Sequence, residues 1–316
     1  MELEELRKRC KQFFWCESIE DCQKLLDIYV EFFFAAVMNH NESVKTQAEA
    51  DAKMVIQMMM TKTLHLKKTL EGIGNQFKNG KVLNNIIDPT IVATQIRNIY
   101  ETAGMFNLIY RNPKSKDEHE ILYLLWVHAG LSYRQRFNDV ITKEENKQKT
   151  EEEKKQMEKI KERIENNPLF LKLDEGNQNK IKTKLRKKDY LMRFHGTNIE
   201  FLSWAQLIIP MGIKKGKLDH AYTYFSLYAH PSNVSVFQYA DMFRKEGENY
   251  KELVHYNMQI AFMMLSVFIA DYIHLFPSVL LTYENMDLVE QIVINFHNTQ
   301  ARSHDYDINE SWKATG

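Results

Sequence analysis

Residues 218–244 read LDHAYTYFSLYAHPSNVSVFQYADMFR. Asp219 opens a run whose apolar and aromatic residues recur every three or four positions, the period of a helix face. Pro231 ends that run, because proline has no N–H to donate and its ring clashes with the preceding turn. Ser232 or Asn233 then supplies a side-chain cap for a second helix reaching about Lys245. Two helices separated by a hard stop, with no alternation of period two, point to an all-α fold.

The same reading extends outward. Only six prolines and eleven glycines punctuate 316 residues, so long stretches run without a breaker and favour helices. Downstream, a long apolar helix is expected from about Asn249 to Leu275 and a last one from about Glu284 to Thr299, before a polar tail expected to fray. Upstream, Ser18 caps a helix running to about His40, and a further helix spans about Ser43 to Leu70. Asp88-Pro89 is a capping side chain followed by proline at the first helical position, and another helix begins near Lys116-Asp117. Residues 72–87 read as a loop with three glycines, and residues 199–209 as a short apolar helix containing Trp204. The organisation expected is N-terminal helices over 1–72, a multi-helix bundle over 73–300 and a polar tail over 301–316. Within the bundle, residues 141–190 form a projecting charged helical arm. Opposite charges fall three and four apart in the first part of that arm, which suits a solvated helix. A homodimer or protein partner is expected to engage through it.

Lys+Arg and Asp+Glu both total 42, so no global field draws the chain to nucleic acid or membrane. Cys10, Cys16 and Cys22 are an odd set without partners elsewhere, which fits free thiols in a reducing cytoplasm. The opening MELEELRKRCKQ is charged and lacks the apolar core of a secretory signal. Residues 260–281 are mostly apolar, but Asp271, His274 and Pro277 interrupt them. A buried core helix fits better than a membrane span.

Candidate chemistry concentrates in the opening stretch. Asp219, Tyr222 or Thr223, Ser226 and His230 are spaced by three or four residues and share a helix face. His230 stands in the last turn, where the helix dipole favours a protonated imidazole and acid–base work near neutral pH is open to it. The same imidazole can equally hydrogen-bond one of the last free carbonyls and do nothing more. Arg97 and Glu101, four residues apart among apolar neighbours, can pair on one helix facing an interior polar pocket.

Arg97-x-x-x-Glu101 in an early helix, with Tyr224-x-Ser226-x-x-x-His230 closing a later one, resembles an uncharacterised bacterial all-helical domain-of-unknown-function family placed near the HEPN-like proteins. The resemblance covers roughly residues 85–275. It implies a helical bundle in which Arg97, Glu101, Tyr224, Ser226 and His230 converge on one pocket, and a metal-independent ribonuclease in a toxin or defence setting. His230 would then be the general acid/base, Arg97 would stabilise phosphorane charge and Glu101 would orient Arg97. Tyr224 and Ser226 would contact phosphate or the 2′-hydroxyl. The compact HEPN motif, arginine then four to six residues then histidine on one helix, is absent here. The alternative is a non-catalytic helical interaction module whose polar cluster fixes packing.

KIKTKLRKK at 180–188 is locally basic, and Lys182, Lys184, Arg186, Lys187 and Lys188 are candidates for RNA phosphate contacts. GIKKGK at 212–217 lacks both the spacing and the hydroxyl of a phosphate loop. Glu252/His255 and Asp271/His274 each resemble half of a metal site. They lie 19 residues apart on one predicted helix, about 28 Å, and cannot share an ion within a chain. No metal or cofactor is expected.

Overall fold

A computed structural model describes residues 2–230, 232–241, 249–311 and 313. Thirteen α-helices and two short hairpins form among them, so the chain is all-α. By contacts it divides into two compact units, residues 1–107 with 211–316, and residues 108–210.

The first unit begins with α1 (Leu3–Trp15), α2 (Ile19–Asn39) and α3 (Gln47–Leu70). The Ser18 hydroxyl accepts from the Asp21 amide at 3.0 Å, and Thr46 caps α3 in the same way. After the first hairpin comes α4 (Pro89–Phe106), capped by Asp88, with proline at its first position. The unit is completed by α9 (Ala221–Ala229), α10 (Asn233–Asp241), α11 (Asn249–Leu275), α12 (Leu280–Glu284) and α13 (Leu288–Ala301). Helix α11 packs against α4, α13 and α2. Its Phe268 ring meets Phe106 of α4 at 4.8 Å and Phe33 of α2 at 6.0 Å between centroids. Residues 251–275 are long and apolar enough to cross a membrane by length and composition alone, but 72% of the most apolar stretch is buried inside the protein. The expected core helix is what forms.

The second unit contains α5 (Lys116–Arg134), α6 (Glu144–Glu165), α7 (Pro168–Lys172) and α8 (Glu175–Lys187). Ile121, Leu125, Ile160, Ile164, Phe170 and Ile181 share one core cluster. The charged α6 therefore lies along α5 through a narrow apolar seam. Its remaining surface carries short-range pairs such as Lys154–Glu151 and Lys161–Glu158, both 2.6 Å.

Three expectations are corrected. The glycine-containing segment after α3 is a hairpin, β1 (Ile73–Gln76) with β2 (Val82–Ile86), pairing Ile73 with Ile86 and Gln76 with Val82. Its turn contains Asn79-Gly80, and Gly80 adopts φ +80°, a conformation costly for residues with a Cβ. The segment expected as a helix over 199–209 is instead β4 (Asn198–Phe201), paired with β3 (Met192–His195), and then a 3₁₀ turn at Trp204–Ile208. Ser203 and Gln206 form the capping box of that turn. Finally, the described part of the tail is docked rather than frayed. Arg302 is fully buried, Asn295 donates to the Asn309 carbonyl at 3.0 Å, and Asn298 donates to the Tyr306 carbonyl at 2.7 Å. Pro231 and the helix end expected near Lys245 lie outside the described residues.

Candidate polar cluster on the α4–α9 face

Helix α4 is amphipathic for a local reason. Val92, Ile96, Ile99 and Ala103 are fully buried, while Arg97 and Glu101 fall four residues apart beside that stripe. Arg97 Nε donates to Glu101 Oε1 at 2.9 Å. Its Nη2 donates to the Tyr222 hydroxyl at 2.6 Å, and the guanidinium carbon stands 4.7 Å from the Tyr222 ring centroid. The aromatic contact and the two hydrogen bonds fix the guanidinium plane. Nη1 has no protein partner among the described residues. The side chains of Arg97 and Glu101 are 19% and 28% exposed, so solvent reaches the pair.

A third helix contributes a residue that sequence reasoning missed. Lys62 of α3 donates to Asn98 Oδ1 on α4. Burial pushes its ammonium below the ordinary lysine value, and the Glu101 carboxylate pulls it back up. Glu101 therefore pairs with Arg97 and exerts an electrostatic pull on Lys62. Nothing in the α3 sequence marks Lys62, because its significance arises only when α3 packs on α4.

The expected residues of α9 separate. Tyr222, Ser226 and His230 follow one another at four-residue intervals and line one face. Tyr222 holds Arg97, whereas the Ser226 hydroxyl donates to the Tyr222 carbonyl at 2.7 Å and is tied to its own helix. His230 caps the helix in extended geometry, φ −110° and ψ 134°, as the proline that follows demands. Its side chain is exposed. Eight residues separate it from Tyr222, about 12 Å of helix rise. Tyr224 lies two residues from both Tyr222 and Ser226, about 200° around the helix, and belongs to another cluster. Its ring packs edge-on against Tyr228 and Tyr256, with centroids 5.1 and 5.9 Å away. Burial and the Tyr228 hydroxyl push its phenol well above the ordinary range. The structure thus joins Arg97 and Glu101 to Tyr222 rather than to Tyr224, and places His230 a helix length away.

The basic stretch is also divided. Lys184 is buried, paired with Asp189 at 2.5 Å and stacked 4.6 Å from the Phe201 ring. It cannot reach a phosphate backbone, because its charge is enclosed and already neutralised. Lys182 is half-buried, with its ammonium 5.8 Å from the Phe170 ring. Arg186, Lys187 and Lys188 are exposed at the end of α8, and Arg186 donates to Thr183 Oγ1 at 2.9 Å.

One member of each carboxylate–imidazole pair considered for a metal is engaged elsewhere. His255 Nε2 contacts the Trp15 carbonyl at 2.6 Å, and Asp271 forms a bidentate pair with Arg302. Two surface clefts among the described residues lie elsewhere. One is lined by Glu120, Lys159, Arg163 and Asn167, the other by Arg9, Lys24, Glu31 and Glu290.

The fold and this cluster define an all-α protein with a partly open Arg–Glu–Tyr constellation between helices. Comparison of the chain with protein-family models, curated proteins and solved structures found no match.

Proposed function

We propose that the chain acts on RNA through the α4–α9 face, with Arg97 receiving a backbone phosphate and His230 serving as an exposed acid–base group. The observation that carries this reading is the guanidinium of Arg97, pinned by Glu101 and Tyr222, with no partner for Nη1 among the described residues. A pre-oriented, partly desolvated arginine is suited to phosphate oxygens. RNA as the source of that phosphate rests on the resemblance to HEPN-like proteins. With about 12 Å of helix between Tyr222 and His230, Arg97 anchors the strand at one position while His230 faces another. Exposed Arg186, Lys187 and Lys188 offer further backbone contacts. Cleavage of RNA by the purified protein in EDTA, beside Arg97→Ala and His230→Ala, tests the proposal. Chelator-resistant cleavage abolished by both substitutions in folded protein supports it, and intact RNA in every lane overturns the catalytic part.

A second reading, a non-catalytic interaction module, is favoured by a different observation. Val234, Val236, Phe237 and Tyr239 of the nine-residue α10 are 43–62% exposed, and no Asp, Glu, Lys or Arg lies between Asp219 and Asp241. Such a surface suits a protein partner. In that case Phe237→Glu abolishes partner or self-association and Arg97→Ala does not, as read by light scattering and co-purification. The charged α6 is the other surface proposed for such a partner.

A further inference from the structure

Helices α1, α2 and α13 of the first unit leave a cleft of about 310 Å³ between them, at the small end of the range for ligand pockets. Its apolar lining is Phe13 of α1, Ile28 of α2 and Val289 of α13. Ile28 and Val289 are buried and Phe13 is half-buried, so they form a floor. Charged side chains line the same cleft, and most are already paired. Lys24 pairs with Glu20 at 2.8 Å, Asp27 with Lys67, and Arg9 stands 3.8 Å from Asp287. None of those three partners belongs to the lining. Two carboxylates remain. Glu31 has no hydrogen-bond or ion-pair partner among the described residues, and Glu290 uses only Oε2, which accepts from the Asp287 N–H at 3.1 Å. That bond is half of the α13 capping box, which already satisfies donors at the positive end of the helix. Burial raises the Glu290 carboxyl above its ordinary value. The charges of Asp287 and Glu31 add to that rise, against the lowering by the Asp287 N–H and Arg9.

An apolar floor beside two carboxylates without a counter-charge suits a cation that has an apolar body. A bare metal ion fits poorly. Among the described residues no group of three His, Cys, Asp or Glu side chains could hold one, and a hard cation needs oxygen ligands that Phe13, Ile28 and Val289 cannot supply. An anion would meet two like charges. A neutral apolar molecule would cover the floor but leave both carboxylates unmatched. We infer that this cleft binds a small organic amine in its ammonium form. The ammonium head takes charge-assisted hydrogen bonds from Glu31 and Glu290 as acceptors. The stem covers Ile28 and Val289, and the Phe13 ring adds the attraction of an aromatic face for a cation. The inference is independent of the RNA reading, since no residue of the Arg97 cluster takes part.

The test titrates three probes into the full chain and follows the Ile28 and Val289 methyl resonances by NMR, which report from the floor of the cleft. Phenethylammonium carries both charge and stem, phenethyl alcohol the stem alone, and methylammonium the charge alone. Phenethylammonium is expected to bind about tenfold more tightly than either of the others. Glu31→Gln and Glu290→Gln remove a charge each, and glutamine at 290 still serves the capping box. Each is expected to weaken phenethylammonium about threefold to tenfold, and the double variant to bring it down to the level of the alcohol. Glu145→Gln, at an exposed position of α6 outside the lining, changes the net charge equally and should leave binding unchanged. Phenethylammonium bound no more tightly than the alcohol overturns the inference. So does a loss in Glu145→Gln equal to that in Glu31→Gln, because it would mark a general effect of net charge. Methyl resonances that none of the three probes moves overturn it as well.

Discussion

Arg302 and Asp271 form a fully enclosed bidentate ion pair, with Nη1 to Oδ1 at 2.7 Å and Nη2 to Oδ2 at 2.8 Å. Their side chains are 0% and 1% exposed. Asn107 at the end of α4 adds a donor to Asp271 Oδ2 at 2.7 Å, and the Tyr306 ring lies 4.6 Å from the guanidinium. The pair joins the last turn of α13 to the long core helix α11 and anchors the chain that follows.

Removing one partner leaves the other charged and buried, a cost of about 3–5 kcal/mol. Arg302→Met is therefore expected to lower the denaturant midpoint sharply and release the 302–311 segment to proteolysis. Replacing both residues together, Asp271→Leu with Arg302→Leu, is expected to cost less than Arg302→Met alone, since no uncompensated charge remains. A single substitution that shifts stability by less than about 1 kcal/mol would contradict the burial of the pair.

That ion pair also shows where sequence reading stops. Asp271 was visible as an interruption in an apolar run, but its partner lies 31 residues away in a stretch that reads as polar tail. Helix starts were legible at Ser18 and Asp88, because capping is local chemistry, whereas the caps at Thr46 and Asp287 lie a few residues past the starts expected near Ser43 and Glu284. The hairpins were not. Ile73 and Val82 are 68% and 63% exposed, so the first hairpin buries no face and leaves no alternating pattern to read. Within the candidate site, Arg97 and Glu101 were legible from their spacing. Tyr222 was legible as well, at four residues from Ser226, whereas Tyr224 entered through the resemblance and faces away. Lys62 depends on helix packing and has no local signal.

His297 makes acid stability measurable. Its ring is buried, Nε2–H donates to the Phe13 carbonyl at 3.1 Å, and burial lowers its pKa to about 4. The unfolded chain takes up a proton at about 6.5, which the folded chain refuses until about 4. The stability from this group is therefore complete above about pH 6.5 and falls as the pH drops from there towards 4, by roughly 3 kcal/mol. Urea midpoints measured across this window should slope downward with acid, and His297→Gln should flatten the slope. An unchanged slope in that variant would show that other groups govern it.

The division of the basic stretch gives a separable pair of outcomes. Lys184→Met removes a buried cation paired with Asp189, so it should destabilise the protein without changing RNA affinity in the folded fraction. Lys187→Gln with Lys188→Gln should leave the melting temperature unchanged but reduce the salt dependence of single-stranded RNA binding. Each lost phosphate contact lowers the log–log slope by about 0.7. Binding that weakens with Lys184→Met but not with the double variant would reverse the assignment.

The two tyrosines of α9 provide the sharpest contrast. Tyr222→Phe keeps the ring beneath Arg97 but removes the hydroxyl that accepts from Nη2 at 2.6 Å. The guanidinium then loses one of its two hydrogen-bond anchors, and phosphate affinity should fall about fivefold to tenfold, a cost of about 1–1.4 kcal/mol. Tyr224→Phe alters a cluster on the far side of the same helix, where its hydroxyl meets that of Tyr228 at 3.4 Å. It should therefore leave anion binding unchanged, whatever its effect on stability. The comparison isolates geometry from composition, since both variants delete one phenolic oxygen from the same helix. If Tyr224→Phe weakened phosphate binding as much as Tyr222→Phe, the Arg97 cluster would not be the anion site. If neither did, the hydroxyl of Tyr222 would serve packing alone.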